Sequence, residues 1–297
     1  MVKLKNRHDI VFIIINYAIF GIFTLLCVIP FYYLFINTIS DNDLVRRGLI
    51  RLVPKGFHLN NYMEVFKLRG LGQAAFISLS RTLSGTALTV LASAFVGYLV
   101  TKNQLWGRKF WYRYIIVTMY FSAGLIPWYM NMLTLHLLNN FLAYILPGII
   151  APFSIILVKT YIESIPPSLE ESASIDGAGT VTIFSKIILP LVKPILATIA
   201  IFAAVGHWNS FMDTLFLMTN EKLFSLQFIL WRYLNEANYL ASIMRSGTTV
   251  AIDASQSLTP RTIQMTISMV VVFPILCTYP FMQRFFIKGI MVGAIKG

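Results

Sequence analysis

Glu171-Ser172-Ala173-Ser174-Ile175-Asp176-Gly177-Ala178, continuing to Ile187-Ile188-Leu189-Pro190, sets a short polar segment and a glycine break between two strongly apolar spans. Pro166-Pro167 stops the preceding helix, because proline lacks an N–H and clashes with the carbonyl one turn back. Ser168, with Glu171 three residues later, fits a capping box and predicts a fresh helix from Ser168. Gly177 or Gly179 would end that helix in a permissive turn, and Thr180 can cap the next helical stretch toward Pro190. Ala173 and Ala178 leave a narrow surface that a partner groove could enclose. The whole reads as a solvent-side handle on a membrane protein.

Composition supports that reading. Of 297 residues, 57% are apolar and 12% charged, whereas soluble domains carry about 25% charged side chains. Six stretches are long and apolar enough to cross a bilayer, approximately 11–36, 80–101, 114–135, 139–160, 191–212 and 263–283. Backbone groups inside lipid must be satisfied within each segment, so the expectation is an all-α integral membrane protein of six transmembrane helices. The first stretch is too long for a cleavable leader and shows no convincing small-residue cleavage site, so it reads as a retained helix. Cys27 and Cys277 lie inside apolar spans and define neither a disulfide framework nor a metal site.

The net charge of +12 invites a nucleic-acid reading, but such proteins gather basic residues on one soluble face. Here the basic residues sit between spans, densest in the short segments around Lys3, Lys5 and Arg7, Lys102 to Arg113, and Arg284 to Lys296. The rule that Lys and Arg favour the inner side places both termini and the Glu171 segment in the cytoplasm. Two longer excursions, about 37–79 and 216–262, then face outward. The first holds a turn at Pro54-Lys55-Gly56 and an amphipathic helix around Asn60 to Phe66; the second holds a helix candidate from Leu226 to Tyr239. Span three contains Pro127, which predicts a kink within it.

Ion-coupled carriers keep ionisable side chains at membrane depth. The six spans read as essentially free of them, with His207 the one candidate well inside. The chain also lacks a G-x-x-x-x-G-K-[ST] phosphate loop, so any ATP is handled by another chain.

The spacing E-S-A, three residues, G, nine residues, I-x-L-P resembles the EAA signature of permease subunits from ATP-driven importers. Together with Trp208-Asn209 and the ending Tyr279-Pro280-Phe281 to Gly289, it makes the chain similar to sugar-type, MalG-like ABC importer permeases of the LplC/YtcP branch. Ser172 stands where the signature has its first alanine. The resemblance implies one MetI-like, type I permease domain over 1–297, with a cytoplasmic coupling loop at about 162–190. It implies a non-catalytic subunit in a heterodimer with a second permease, two ATPase chains that bind ATP and Mg, and a solute-binding protein outside a bacterial inner membrane.

By that resemblance Glu170, Glu171, Ser172, Ala173, Asp176, Gly177 and Ala178 would engage the ATPase, and the tail from Lys288 would reach the ATPase dimer. The segment near 240–256 would face the binding protein. Trp208 and Asn209 would line the solute path, with Tyr120, Trp128 and Asn131 as weaker members of the wall. Helix packing explains Trp208 and Asn209 equally well, and interfacial anchoring suits Trp128 better. The cargo implied is an oligosaccharide, acidic ones from pectin or alginate included. An ion-coupled or passive transporter without an ATPase is the alternative.

Overall fold

The computed structural model describes residues 7–245 and 260–294, with side chains over 10–235 and 261–278. Lys3, Lys5, the polar run 246–256 and Lys296 lie outside the described residues, as do the side chains of the tail from Lys288. Among the described residues every regular element is helical. The chain divides into two compact units, Met1–Leu68 with Arg232–Phe273, and Arg69–Trp231 with Pro274–Gly297.

In the first unit, α1 (Arg7–Thr38) is followed by α2 (Asn42–Arg46) and α3 (Asn60–Lys67). None of the most apolar window of α1 is buried inside the chain, as befits a helix whose surroundings are lipid or another subunit. Its end is pinned instead by polar contacts. Thr38 Oγ1 shares a 2.8 Å hydrogen bond with the Tyr62 hydroxyl, and Asn61 Nδ2 donates to the Thr38 carbonyl at 2.9 Å. Asp41 caps α2 by accepting from the Asp43 and Leu44 amides. Burial raises the pKa of the Tyr62 phenol, partly offset by its bond to Thr38. The expected turn is present, with Gly56 at φ +66°.

The second unit is organised around α4 (Leu71–Leu99), whose residues Arg81, Gly85, Thr89, Ser93 and Gly97 are all buried. A four-residue spacing puts them on one helix face. That face packs against α7 (Pro152–Ile162) and α11 (Lys193–Asn209). Small residues let the backbones close in: the position a Cβ on Gly85 would take is filled by the His207 imidazole. A Cβ on Gly97 would stand 2.8 Å from Val158 Cβ and Cγ1. Thr89 Oγ1 donates to the Gly148 carbonyl at 3.1 Å along the same seam.

Among the described residues, three helices are long and apolar enough to span a bilayer unbroken, and two bent pairs raise the number to five if each is one span. Residues 114–135, expected as one of six membrane-spanning helices, are not one continuous helix. There α5 (Arg108–Tyr120) and α6 (Leu125–Thr134) are separated by an extended break at 121–124, with Gly124 at φ +83°. Pro127 does not kink a helix, because it falls in the first turn of α6, where no intrahelical N–H is needed. Span four is bent by 44° between Phe141–Gly148 and α7. Span five follows α8 (Ser168–Ile175), α9 (Thr180–Ile183), a π-helical turn at Phe184–Ile188 and α10 (Leu189–Leu191), then bends by 78° into α11. Pro190 and Pro194 flank that bend and remove its ladder donors. The chain continues through α12 (Met212–Leu217), α13 (Leu226–Arg245) and α14 (Pro260–Ala294).

Gly97→Ala is expected to lower stability by about 1–3 kcal/mol, the cost of forcing a methyl into a filled seam. Combined with Val158→Ala, the loss measured by thermal unfolding in detergent should fall short of the sum of the two single losses. Additive losses would show that the seam has slack.

Candidate functional site

α8 is built much as its sequence suggests at one end and differently at the other. At its C-terminus, the Ala178 amide donates to the Ala173 carbonyl at 2.9 Å and the Gly177 amide to the Ser174 carbonyl at 3.1 Å. With Gly177 at φ +80°, these two bonds make a Schellman turn that closes the helix without side-chain help. At its N-terminus, the expected capping box is absent. Pro167 has helical dihedrals and occupies the cap position, so Ser168 falls inside the first turn and no side-chain cap bond forms. Thr180 likewise starts α9 from within, after Gly179, without capping it.

The handle has two faces. Glu170, Ala173 and Ala178 turn toward the body of the unit, the two alanines against the cluster of Tyr98, Val158, Ile183 and Ile188. Glu171, Ser172, Asp176 and Gly177 are exposed. Two apolar residues not singled out in the sequence share that exposure: Ile175 at 86% and Val181 at 73%. A hydrophobic side chain on a short polar helix, opposite its inward alanines, was the available signal. A polar groove of about 720 Å³ runs beside α8, lined by residues that include Lys102, Glu163, Glu170 and Glu171.

Glu170 is already engaged within the chain. Its carboxylate pairs with the Lys102 ammonium, which also sits 4.1 Å above the Tyr98 ring.

The five residues expected along the solute path are distributed over α5, α6 and the end of α11. Tyr120 closes α5 and is exposed; Asn131 is exposed on α6. Trp128 packs against the cluster of Met132, Tyr144 and Leu217. Trp208 lines an apolar groove of about 550 Å³ with Leu79, Phe202, Val205 and Pro274, and Asn209 is exposed at the last position of α11.

The expectation that the spans carry essentially no ionised side chain is corrected by Arg81. It is 1% exposed on α4 and pairs with Asp213 of α12. Arg81 Nη1 donates to Asp213 Oδ1 at 3.1 Å and to the Ser210 carbonyl at 3.3 Å, while Nη2 binds Oδ2. The guanidinium also lies 4.2 Å from the centre of the Tyr144 ring. Tyr144 donates to the Leu223 carbonyl at 2.6 Å and shares a 3.0 Å bond with Thr214, which bonds Ser225 at 2.9 Å. Asp213 Oδ1 additionally accepts the Thr214 amide at 2.8 Å. Here both oxygens are held by a permanent cation, so the pair works as a clamp on the end of α11.

Residues 89–292 match the family described as "Binding-protein-dependent transport system inner membrane component", a range that contains α8. The polygalacturonan/rhamnogalacturonan transport system permease protein YtcP of Bacillus subtilis (strain 168) is 32% identical over 294 residues, covering 99% of this chain and 100% of that protein. Protein LplC of the same organism is 33% identical over 308 residues, covering 100% of each. A chain in the crystal structure of a bacterial ABC transporter involved in the import of the acidic polysaccharide alginate superimposes with a TM-score of 0.84. It is 28% identical, and the match covers 96% of this chain and 100% of that one.

Removing one member of the clamp strands the other as a buried charge, so Asp213→Ala should cost about 3–5 kcal/mol in detergent unfolding. Replacing both at once, with Arg81→Met and Asp213→Leu, should cost less than Asp213→Ala alone. The opposite order would show that Arg81 finds water or another acceptor.

Proposed function

Since the chain belongs to the family of binding-protein-dependent transport system inner membrane components, we propose that it forms half of the translocation path of an ATP-driven oligosaccharide importer. α8 is the docking helix for a separate ATPase chain, and a second permease completes the path. The observation that carries this reading is the outward face of α8, where Ile175 and Glu171 stand exposed beside a polar groove. Covering the Ile175 side chain with a partner's apolar surface would remove it from water. The density of Lys and Arg in the short connecting segments supports a cytoplasmic α8 with both termini on the same side.

In this reading ATP and Mg are bound entirely by the ATPase chains, whose closure supplies the work. This chain's residues do the rest. Ile175 and Val181 fill an apolar recess, Glu171 meets a basic group, and Gly177 sets the turn that presents them. The permease changes state only to the extent that the closed ATPase pair binds one arrangement of α8 better than the other.

The cargo is an oligosaccharide, with uronates as the favoured class. Relatives named for polygalacturonan, rhamnogalacturonan and arabinooligosaccharide transport support the sugar, and the alginate importer supports the acid. Trp208 would offer a ring face to the sugar, with Asn209 reaching its hydroxyls. Arg47 and Arg51, exposed in the first outer excursion, suit a negatively charged solute at the entrance.

Ile175→Asp or Glu171→Ala should weaken capture of the ATPase by at least about tenfold, equivalent to about 1.4 kcal/mol, while the permease still inserts. Gly177→Pro should abolish coupled uptake, because proline cannot adopt φ +80° and removes the amide that closes the turn. Wild-type uptake in all three variants would overturn the docking role of α8. For the cargo, calorimetry on the partner binding protein should show heat with uronate oligosaccharides and little with neutral ones. Equal affinity for both would remove the acidic preference.

A further inference from the structure

We propose that Lys102 is a positioning residue that couples α8 to α4, so that displacement of the docking helix is passed into the transmembrane body through the Lys102–Glu170 ion pair. The proposal rests on α8 being the ATPase docking helix and concerns what happens to the motion afterwards. Glu170 and Glu171 both lie in the first turn of α8, where the helix dipole favours an acid. That effect does not distinguish them. Their environments do: Glu171 is exposed, whereas the side chains of Glu170 and Lys102 are 23% and 17% exposed and paired with each other. Among the described residues this is the single ion pair made by α8.

Lys102 is held in place from its own side. Its amide donates to the Leu99 carbonyl at 3.0 Å and that of Thr101 to the Tyr98 carbonyl at 3.0 Å, so the tight turn ending α4 carries it. Its ammonium covers the face of Tyr98, a residue of α4 that is itself buried. Tyr98 in turn grips the segment that follows α8: its ring centre lies 5.1 Å from that of Phe184, and its hydroxyl is 3.5 Å from the Thr180 carbonyl. The end of α4 therefore holds the coupling loop at two points, through Tyr98 after α8 and through Lys102 on α8 itself. The first is part of an apolar cluster with Ile183 and Ile188. The second is one charge pair made by α8 itself.

α4 can transmit what it receives. It extends about 43 Å at ~1.5 Å per residue, and its one buried face carries the Gly97–Val158 and Gly85–His207 contacts and the Arg81 clamp. A shift at Lys102 is thus applied to the same helix that holds α7, α11 and α12.

The test uses the complete transporter, with both permeases, the ATPase chains and the binding protein, in proteoliposomes. Lys102→Gln, Glu170→Gln, Lys102→Glu and Glu170→Lys are compared with the double reversal K102E/E170K for ATPase capture and for solute moved per ATP hydrolysed. The expected result is normal ATPase capture in Lys102→Gln, with transport per ATP reduced by about fivefold or more in both neutral variants, the lower end of ordinary site-to-site coupling. The double reversal should return to within about twofold of wild type, since opposite charges swapped in place restore the pair. A purely structural role would not move the transport-to-hydrolysis ratio in a charge-specific way.

The proposal is overturned if Lys102→Gln couples like wild type, or if the double reversal is as defective as the single reversals. Loss of ATPase capture in Glu170→Gln together with a silent Lys102→Gln also overturns it, since Glu170 would then be a direct ATPase contact. Failure of the docking reading looks different: ATPase capture would then be insensitive to Ile175→Asp and Glu171→Ala.

Discussion

A guanidinium buried in an apolar helix bundle must be neutralised, and the arrangement around Arg81 follows from that requirement. The only way to keep this charge away from water is to surround it with acceptors, which come here from Asp213, the Ser210 carbonyl and the Tyr144 ring. Those acceptors can converge only if α11 stops at Asn209 and the chain turns before α12. The helix end is therefore set from outside, by a cation on another helix that takes up a carbonyl left without a partner. Tyr144, Thr214 and Ser225 extend the same logic, since each hydroxyl that bonds a neighbour removes an unpaired polar group from a dry interior.

α4 joins this clamp to the loop that carries α8. Its buried face changes character along its length, polar at Ser78 and Arg81, small at Gly85 and Gly97, and aromatic at Tyr98. Each change matches what the neighbouring element presents: Ser78 accepts the first amide of α13, Gly85 admits an imidazole, Gly97 admits Val158, and Tyr98 meets Phe184. Close packing of this kind leaves little free space along the seam.

Much of this was legible in the residues, and the exceptions have physical causes. The helical class follows from composition, because lipid leaves the backbone few other options. The turn at Gly177 was readable, since a glycine after a short polar helix is the usual answer to the left-handed position. The break at 121–124 was not: apolar content runs with little interruption from Tyr114 to Leu133, and hydrophobicity is blind to backbone direction. Arg81 was hidden by averaging, one charge diluted in a long apolar stretch, while its partner lay 132 residues away. The start of α8 at Ser168 was readable, but the capping role of Ser168 was not borne out, because Pro167 is itself comfortable in a helical conformation and takes the cap position. The inward turn of Glu170 could not be deduced from two adjacent glutamates, because the choice between them depends on where Lys102 lies.

The Schellman turn at the tip of α8 has a consequence for which positions there can vary. Its shape comes from main-chain bonds and one residue without a side chain, and no neighbouring atom lies within 4 Å of where a Cβ on Gly177 would sit. The outward positions at 171, 172, 175 and 176 are consequently free of any duty in forming the tip. In the proposed docking role, substitutions there would alter what α8 recognises while leaving the main-chain bonds of the tip in place.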